Sequence, residues 1–161
     1  MDTHEPHEPH APHRRRFDTP SSALDISRKS LFCRPSRMRD AQSKFDDTGG
    51  IHASALFDFA GNLLTVAEDV GRHNAFDKLV GECLMAGRLP LKERIVLLSG
   101  RASFELVQKA LRSGVSILAA IGAPSSLAVN LAVASGMTLV GFLREKHFNV
   151  YSSPQRIDAR G

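Results

Sequence analysis

Apolar residues follow two different periods along the middle of the chain. Residues 51–59 and 62–70 are apolar, β-rich runs joined through Ala60 and Gly61, which predicts a β-hairpin. Beyond residue 74 the apolar positions recur at helical spacing. This spacing predicts a helix over 74–86, with Asn74 as N-cap and Gly87 just past its end, whose buried face carries Ala75, Phe76, Leu79, Val80, Cys83 and Leu84.

The second half of the chain repeats a strand and a helix. Wholly apolar runs of this kind are typical of strands covered on both faces. The predicted strands are residues 95–99, 116–121 and 138–143, with a short edge strand at 149–152. Helices over 103–113 and 125–135 lie between them, stopped by Gly114 and Gly136. A hairpin that leads into alternating helices and strands predicts an α/β fold, a three-layer α/β/α sandwich on a mixed sheet.

Composition limits the function classes. With 161 residues, 42% of them hydrophobic, the chain is long enough for one domain with a core. The basic surplus lies mainly in the first 44 residues, so the remainder is almost neutral and nucleic acid is not an expected partner. No apolar run approaches the ~20 residues of a membrane span, and no signal sequence opens the chain, so we expect no membrane partner and a cytoplasmic location.

The N-terminal segment differs in kind from the rest. Residues 1–20 are rich in proline and charge, which predicts disorder. His4, His7, His10 and His13 recur every third residue; a polar tail is favoured over a metal-binding tract. Residues 21–44 contain apolar side chains at no clear period. We therefore divide the chain into a disordered or irregular segment, 1–44, and an α/β cofactor-binding domain, 45–161.

Three loops should meet at the carboxyl edge of the parallel strands, where α/β proteins bind ligands. They are residues 68–74, 99–103 and 122–126. The last two each open a helix, whose free N–H groups and dipole favour an anion such as phosphate. Arg72 and Arg101 could add bidentate contacts. Equally, Ser103 and Ser125 could be ordinary N-caps and the glycines ordinary turn residues.

Further polar residues flank these loops and leave two interpretations open. His52 and His73 each lie beside glycine and charge, yet a structural histidine is the commoner case. Glu68 and Asp69 are candidates for general bases or ligand acceptors, or for an ion-pair cluster with Arg72 or Lys78. The cofactor-binding candidates at this edge are Thr48, Gly49, Gly50, His52, Glu68, Asp69, Gly71, Arg72, His73, Asn74, Ser99, Gly100, Arg101, Ser103 and Ser125. No metal ligands are predicted.

Six motifs follow one another along the chain. They are FDDTGGIHA at 45–53, EDVGRHNAFDK at 68–78, SGRASFELVQK at 99–109 and GFLR at 141–144, followed by NVY at 149–151 and QRI at 155–157. In order and spacing these motifs resemble the formate dehydrogenase accessory sulfurtransferase family. The similarity covers about residues 38–157 and is most specific in the eleven-residue run at 68–78.

The resemblance implies a function and a ligand. Members of this family take sulfur from a cysteine desulfurase as a cysteine persulfide and pass it to the molybdenum cofactor of formate dehydrogenase. Their fold is similar to that of the cytidine deaminases, and they act as homodimers. The resemblance implies that molybdenum bis-molybdopterin guanine dinucleotide is bound for delivery, with Arg72, His73, Gly100 and Arg101 among its contacts.

The cysteines depart from the family pattern. Persulfide transfer needs an exposed, activated thiol, which the family supplies from a Cys-x-x-Cys loop. This chain has only Cys33 and Cys83. Cys33, near Arg34 and Arg37, is the doubtful catalytic candidate, and Cys83 is expected in the core. The interpretations are therefore a sulfur carrier, or a truncated, non-catalytic cofactor-binding or assembly module; a zinc deaminase is rejected because its cysteine motif is absent.

Overall fold

The computed structural model describes residues 26–43 and 49–158. The elements alternate as the sequence predicts from residue 51 onward. In chain order they are β1 (Ile26–Ser27), α1 (Arg28–Phe32), α2 (Arg34–Asp40), β2 (His52–Asp58), β3 (Leu63–Asp69), α3 (Arg72–Met85), β4 (Arg94–Leu98), α4 (Phe104–Arg112), β5 (Ile117–Ala120), α5 (Ser126–Ser135), β6 (Thr138–Gly141), β7 (Asn149–Ser152), a 3-10 turn (Pro154–Arg156) and β8 (Ile157–Asp158).

A six-stranded mixed sheet organises the molecule, with strand order β3-β2-β4-β5-β6-β7. Strands β4, β5 and β6 are parallel, whereas β2 runs antiparallel to both β3 and β4, and β7 antiparallel to β6. The carboxyl ends of β3 to β6 and the amino end of β2 therefore share one edge of the sheet, which we call the carboxyl edge. The mixed α/β sheet is confirmed.

Helices cover both faces of the sheet. One core cluster joins α3, α4 and α5 to one face, with Phe76, Leu79 and Leu106 fully buried. These helices share a face because successive right-handed crossovers that move the chain in one direction place their helices on the same side. The opposite face carries a second cluster, in which Leu31 of α1 and Met38 of α2 pack against Phe57. The second helical layer thus comes from the segment before the hairpin.

Residues 26–43 differ from the irregular segment expected there. They form α1 and α2, and β1 pairs in parallel with β8, Ile26 opposite Ile157. Leu31 of α1 and Met38 of α2 are both buried in the core on the second face of the sheet. Short helices with one or two buried residues each leave no clear period in sequence. The predicted disorder of residues 1–20 lies outside the described residues, as does the histidine tract.

The first long helix begins earlier than predicted. Asn74 was expected as N-cap, but α3 begins at Arg72 and its N-cap is Gly71. The reason is Asp69, whose Oδ1 accepts hydrogen bonds from the Gly71 N–H at 3.0 Å and from the Asn74 side chain at 3.3 Å. Asn74 therefore turns back toward the strand end from inside the first helical turn. Of the described helices, none is long and apolar enough to cross a membrane.

Candidate functional site at the carboxyl edge

Hydrogen bonds hold the predicted loops together at the carboxyl edge. The Ala53 N–H of β2 donates to Ser99 Oγ at 2.8 Å, and the Ser99 N–H donates back to the Ala53 carbonyl at 3.0 Å. The Gly122 N–H donates to the Gly100 carbonyl at 3.0 Å, which joins the loops after β4 and β5. Loops from separate parts of the chain thus form one surface, as expected for loops that follow parallel strands.

Two glycines, Gly100 and Gly122, allow the neighbouring loops to pack closely against each other. A Cβ on Gly122 would lie 2.9 Å from Arg101 Cγ and 3.0 Å from the Arg101 backbone. A Cβ on Gly100 would lie 3.2 Å from His52 Nδ1 and 3.9 Å from Arg72 Cδ. His52, Arg72 and Arg101 are therefore brought to the same small region of the edge, whereas Thr48 lies outside the described residues and Gly49 and Gly50 lead into β2.

Two helices direct their N-termini at this surface. Ser103 caps α4, accepting the Leu106 N–H at 3.4 Å, and Ser125 caps α5, accepting the Ala128 N–H at 3.1 Å. Both predicted caps are present. An N-cap side chain satisfies only one of the free N–H groups in the first turn. The positive ends of two helix dipoles thus meet beside Arg101, a favourable place for an anion.

The two arginines have donor groups available at this edge. Arg101 is exposed and makes no hydrogen bond or ion pair with the described residues. Arg72 is half-buried, and its Nε is buried without a hydrogen-bond partner in the described part of the chain. A buried, unpaired N–H is costly, and an anionic ligand at this edge would satisfy it. His73 is half-buried on the first turn of α3.

Asp69 belongs to an ion-pair cluster. Its Oδ2 lies 2.6 Å from Lys78 Nζ, and Lys78 also donates to the Glu68 carbonyl at 3.1 Å. The hydrogen bond from Lys78, followed by that from the Gly71 N–H, lowers the pKa of Asp69 to about 2. Asp69 is therefore a carboxylate at neutral pH that fixes the turn into α3. Of the two partners proposed for it, the structure selects Lys78.

The arginines near Cys33 in the sequence donate their hydrogen bonds to the hairpin rather than to the thiol. The thiol is exposed between α1 and α2. The neighbouring Arg34 is fully buried: it donates to the Asp58 carbonyl at 3.1 Å and lies over the Phe57 ring at 5.5 Å. Arg37 donates to the Gly61 carbonyl. Both guanidinium groups thus reach the hairpin turn, at the opposite end of β2 from His52. The charge of Cys33 is among the groups that act on the Arg34 pKa, and stabilisation of the thiolate by Arg34 stays a prediction.

Cys83 is a core residue, as the sequence predicted. Its side chain is buried on the sheet-facing side of α3. Burial raises the pKa of the Cys83 thiol, because the apolar surroundings disfavour the thiolate. Cys83 is thus neutral and inaccessible. Among the described residues no three potential metal ligands come together.

Sequence reasoning missed a groove on the other side of the carboxyl edge. It is a cavity of about 670 Å³ between α2 and the segment that connects β6 to β7. Arg144 fixes one wall by donating to the Ile121 carbonyl at 2.6 Å. The GFLR motif at 141–144 lies beside this groove in the sequence, but its residue types do not by themselves predict a role for Phe142 or Arg144.

The fold and the carboxyl edge define an α/β protein whose helix N-termini and arginines suit an anionic ligand. The model of the FdhD/NarQ family matches residues 6–158, a range that begins upstream of the similarity seen from about residue 38 onward. The chain belongs to the FdhD/NarQ family.

Curated relatives and a solved structure agree with this membership. The chain is similar to the sulfur carrier proteins FdhD of Streptomyces avermitilis, at 56% identity over 89% of this chain and 50% of the relative, and of Saccharolobus solfataricus, at 45% identity over 84% and 53%. It thus spans about half the length of these relatives. A crystal structure described as a formate dehydrogenase accessory protein from Desulfotalea psychrophila matches with a TM-score of 0.77 and 32% identity, covering 86% of this chain and 59% of that one.

Proposed function

We propose that this chain is the cofactor-binding part of a sulfur carrier that matures formate dehydrogenase. In this proposal the carboxyl edge holds the molybdenum bis-molybdopterin guanine dinucleotide cofactor as cargo, while sulfur from a cysteine desulfurase is transferred to it. The names of the relatives, sulfur carrier and formate dehydrogenase accessory protein, support the assignment. A cytoplasmic homodimer with a cytidine deaminase-like fold is part of the same proposal, and nucleic acid and membrane are not among its partners.

One observation carries the proposal: two helix N-termini and two arginines meet where glycines leave the backbone open. Arg101 has no other partner among the described residues, and the buried Nε of Arg72 is unpaired there. The diphosphate of a dinucleotide would receive N–H groups from α4 and α5 and charge from both arginines. The resident residues bind and orient this cargo; the sulfur and the molybdenum chemistry come from its partners.

Calorimetry with GDP tests the site. A charge-assisted hydrogen bond contributes ~1.5–3 kcal/mol, so Arg101→Ala should weaken GDP binding on the order of tenfold or more. Arg112→Ala is the matched control, because Arg112 is an exposed arginine in the last turn of α4, away from the carboxyl edge. Equal affinity for the native chain and Arg101→Ala, or absence of binding by the native chain, would contradict the proposal.

A second function is favoured by the cysteines. These 161 residues contain no Cys-x-x-Cys, and the described cysteines are one buried thiol and one exposed thiol. We therefore also propose a non-catalytic module that binds the cofactor or assists assembly without carrying sulfur itself. In this case the carboxyl edge keeps the same ligand, and only the persulfide step is supplied from elsewhere.

Sulfur loading separates the two functions. We expect the chain, incubated with a cysteine desulfurase and cysteine, to gain no stable persulfide on Cys33 by intact mass and not to activate sulfur-depleted formate dehydrogenase alone. Cys33 has no second cysteine two residues away to resolve a persulfide. The control is Cys33→Ala, which should behave as the native chain does. Loading and activation that disappear in Cys33→Ala would establish Cys33 as the carrier and remove the non-catalytic alternative.

A further inference from the structure

Phe142 follows β6 at the carboxyl edge in an unusual conformation. Its backbone φ is +51°, in the left-handed region that residues with a side chain rarely adopt. Its side chain is 38% exposed and belongs to neither core cluster. An aromatic residue at this position has two free-energy costs: the backbone is strained, and the apolar ring stays in contact with water.

The left-handed conformation of Phe142 changes which side chain after β6 enters the core under α1 and α2. Leu139 belongs to the core under α3 to α5, and Val140 to the core under α1 and α2. Regular alternation would bring Phe142 to the second core, yet Leu143 occupies that core instead. The left-handed residue therefore turns the aromatic ring away from both cores and lets Leu143 take the buried place.

Neighbouring contacts hold Phe142 in this position. The Phe142 N–H donates to the Gly122 carbonyl at 3.1 Å, and the Leu143 N–H donates to the Ala120 carbonyl at 3.0 Å. The preceding Gly141 is enclosed, since a Cβ there would lie 2.7 Å from Pro124 Cδ and 2.8 Å from the Tyr151 ring. Phe142 is thus bonded to Gly122, in the loop that opens α5 and that contacts Arg101.

We propose that Phe142 is a specificity-determining residue, a stacking surface for the base of a nucleotide whose phosphates lie at the N-termini of α4 and α5. This inference rests on the proposed function, because it names the part of the ligand that the arginines leave uncontacted. An aromatic face binds a planar heteroaromatic ring without requiring hydrogen bonds. A bound base would cover the ring of Phe142 and offset the cost of exposing it.

The strained backbone provides a sharp test, because glycine suits φ +51° better than phenylalanine does. Phe142→Gly should therefore unfold at no lower temperature than the native chain, yet bind GDP about tenfold more weakly by calorimetry. Its affinity for inorganic pyrophosphate, which has no base, should be unchanged. Phe142→Tyr should retain the native affinity for GDP. Met85→Ala is the matched control, since Met85 is 89% exposed at the far end of α3.

The outcomes separate this inference from the proposed function. If Phe142→Gly binds GDP as tightly as the native chain while Arg101→Ala binds it more weakly, the phosphate site stands and the stacking role is wrong. If Phe142→Gly loses affinity for pyrophosphate and GDP alike, or unfolds at a lower temperature, Phe142 has a structural role and the inference is overturned. Absence of binding of either probe to the native chain would overturn the proposed function itself, and the inference with it.

Discussion

Single residues at the carboxyl edge and the hairpin turn show how burial changes a side chain's role. Arg34 has an ordinary place in the sequence, beside a cysteine. In the structure it is fully buried, and desolvation lowers its pKa to about 10. Its guanidinium lies over the Phe57 ring and donates to the Asp58 carbonyl. Asp69 shows the opposite case, a carboxylate whose charge is stabilised by Lys78.

The free energy of unfolding should depend on pH at acid pH, because the ion pair between Asp69 and Lys78 needs the Asp69 carboxylate. The pKa of Asp69 falls from its ordinary value of 3.8 to about 2 in the folded chain. A lowered carboxyl pKa contributes stability that is full above the unfolded value and is lost as the pH falls through the folded value. We expect Asp69→Asn to flatten the fall in the free energy of unfolding between pH about 4 and about 2, measured by urea unfolding.

Two lysine variants complete this test. Lys78→Met removes the largest cause of the shift and should flatten the same part of the profile. Lys92→Met removes an exposed lysine outside this cluster and should leave the profile as in the native chain. A profile that keeps its native slope in Asp69→Asn would show that other carboxylates account for it.

At the scale of elements, the loops of the carboxyl edge depend on glycine at particular contacts. Gly122 and Gly81 form a useful pair, because a Cβ on Gly122 would lie 3.0 Å from backbone atoms of Arg101, whereas a Cβ on Gly81 in α3 would meet nothing within 4 Å. A flexible side chain could move away from the added Cβ, but the Arg101 backbone can move away only if the two loops separate. The same substitution should therefore have opposite effects at the two positions.

We expect Gly122→Ala to lower the free energy of unfolding by about 1–3 kcal/mol, as overpacking does, and to weaken GDP binding. Gly81→Ala should raise the free energy of unfolding by about 0.5–1 kcal/mol, because alanine is the better helix former, and should leave binding unchanged. Chemical denaturation and calorimetry on both variants give the answer. Equal effects of the two substitutions would mean that the loops after β4 and β5 are not closely packed in solution.

At the scale of the whole molecule, α1 and α2 should fold together with the sheet. Leu31 is fully buried in the core that also contains Phe57 and Ile95, and β1 is paired with β8 near the other end of the chain. Each of these contacts joins residues far apart in sequence. Residues 26–43 therefore complete the second face of the sheet rather than precede the domain.

Leu31→Ala should accordingly lower the free energy of unfolding of the entire chain by about 2–5 kcal/mol, the usual cost of a large cavity, in a single transition. Leu84→Ala is the control: the helical spacing predicted Leu84 on the buried face of α3, but its side chain is 62% exposed. A change within about 0.5 kcal/mol is therefore expected. Circular dichroism and near-ultraviolet signals measured together would show whether the transition is shared. A separate early transition in Leu31→Ala would make residues 26–43 an independent unit.

The sequence determined the elements that repeat regularly. The hairpin follows from its β-rich apolar runs, and the strands β4 to β6 follow from wholly apolar runs. The helices α4 and α5 lie between these strands, and Ser103, Ser125 and Gly136 mark helix ends. Because parallel strands share one carboxyl edge, it also determined that the loops bearing Arg72 and Arg101 would meet. These features depend on residues that are close together in the sequence, so the local pattern of residue types is enough to predict them.

Only the tertiary structure decided which of those residues touch, and how. It buried Arg34 beneath the hairpin, paired Asp69 with Lys78, started α3 at Arg72, and turned Phe142 out of the sheet. It also supplied the second helical layer, from two helices too short to leave a pattern. Each of these outcomes depends on a contact between residues distant in sequence, whose free energy arises only when the sheet has brought them together.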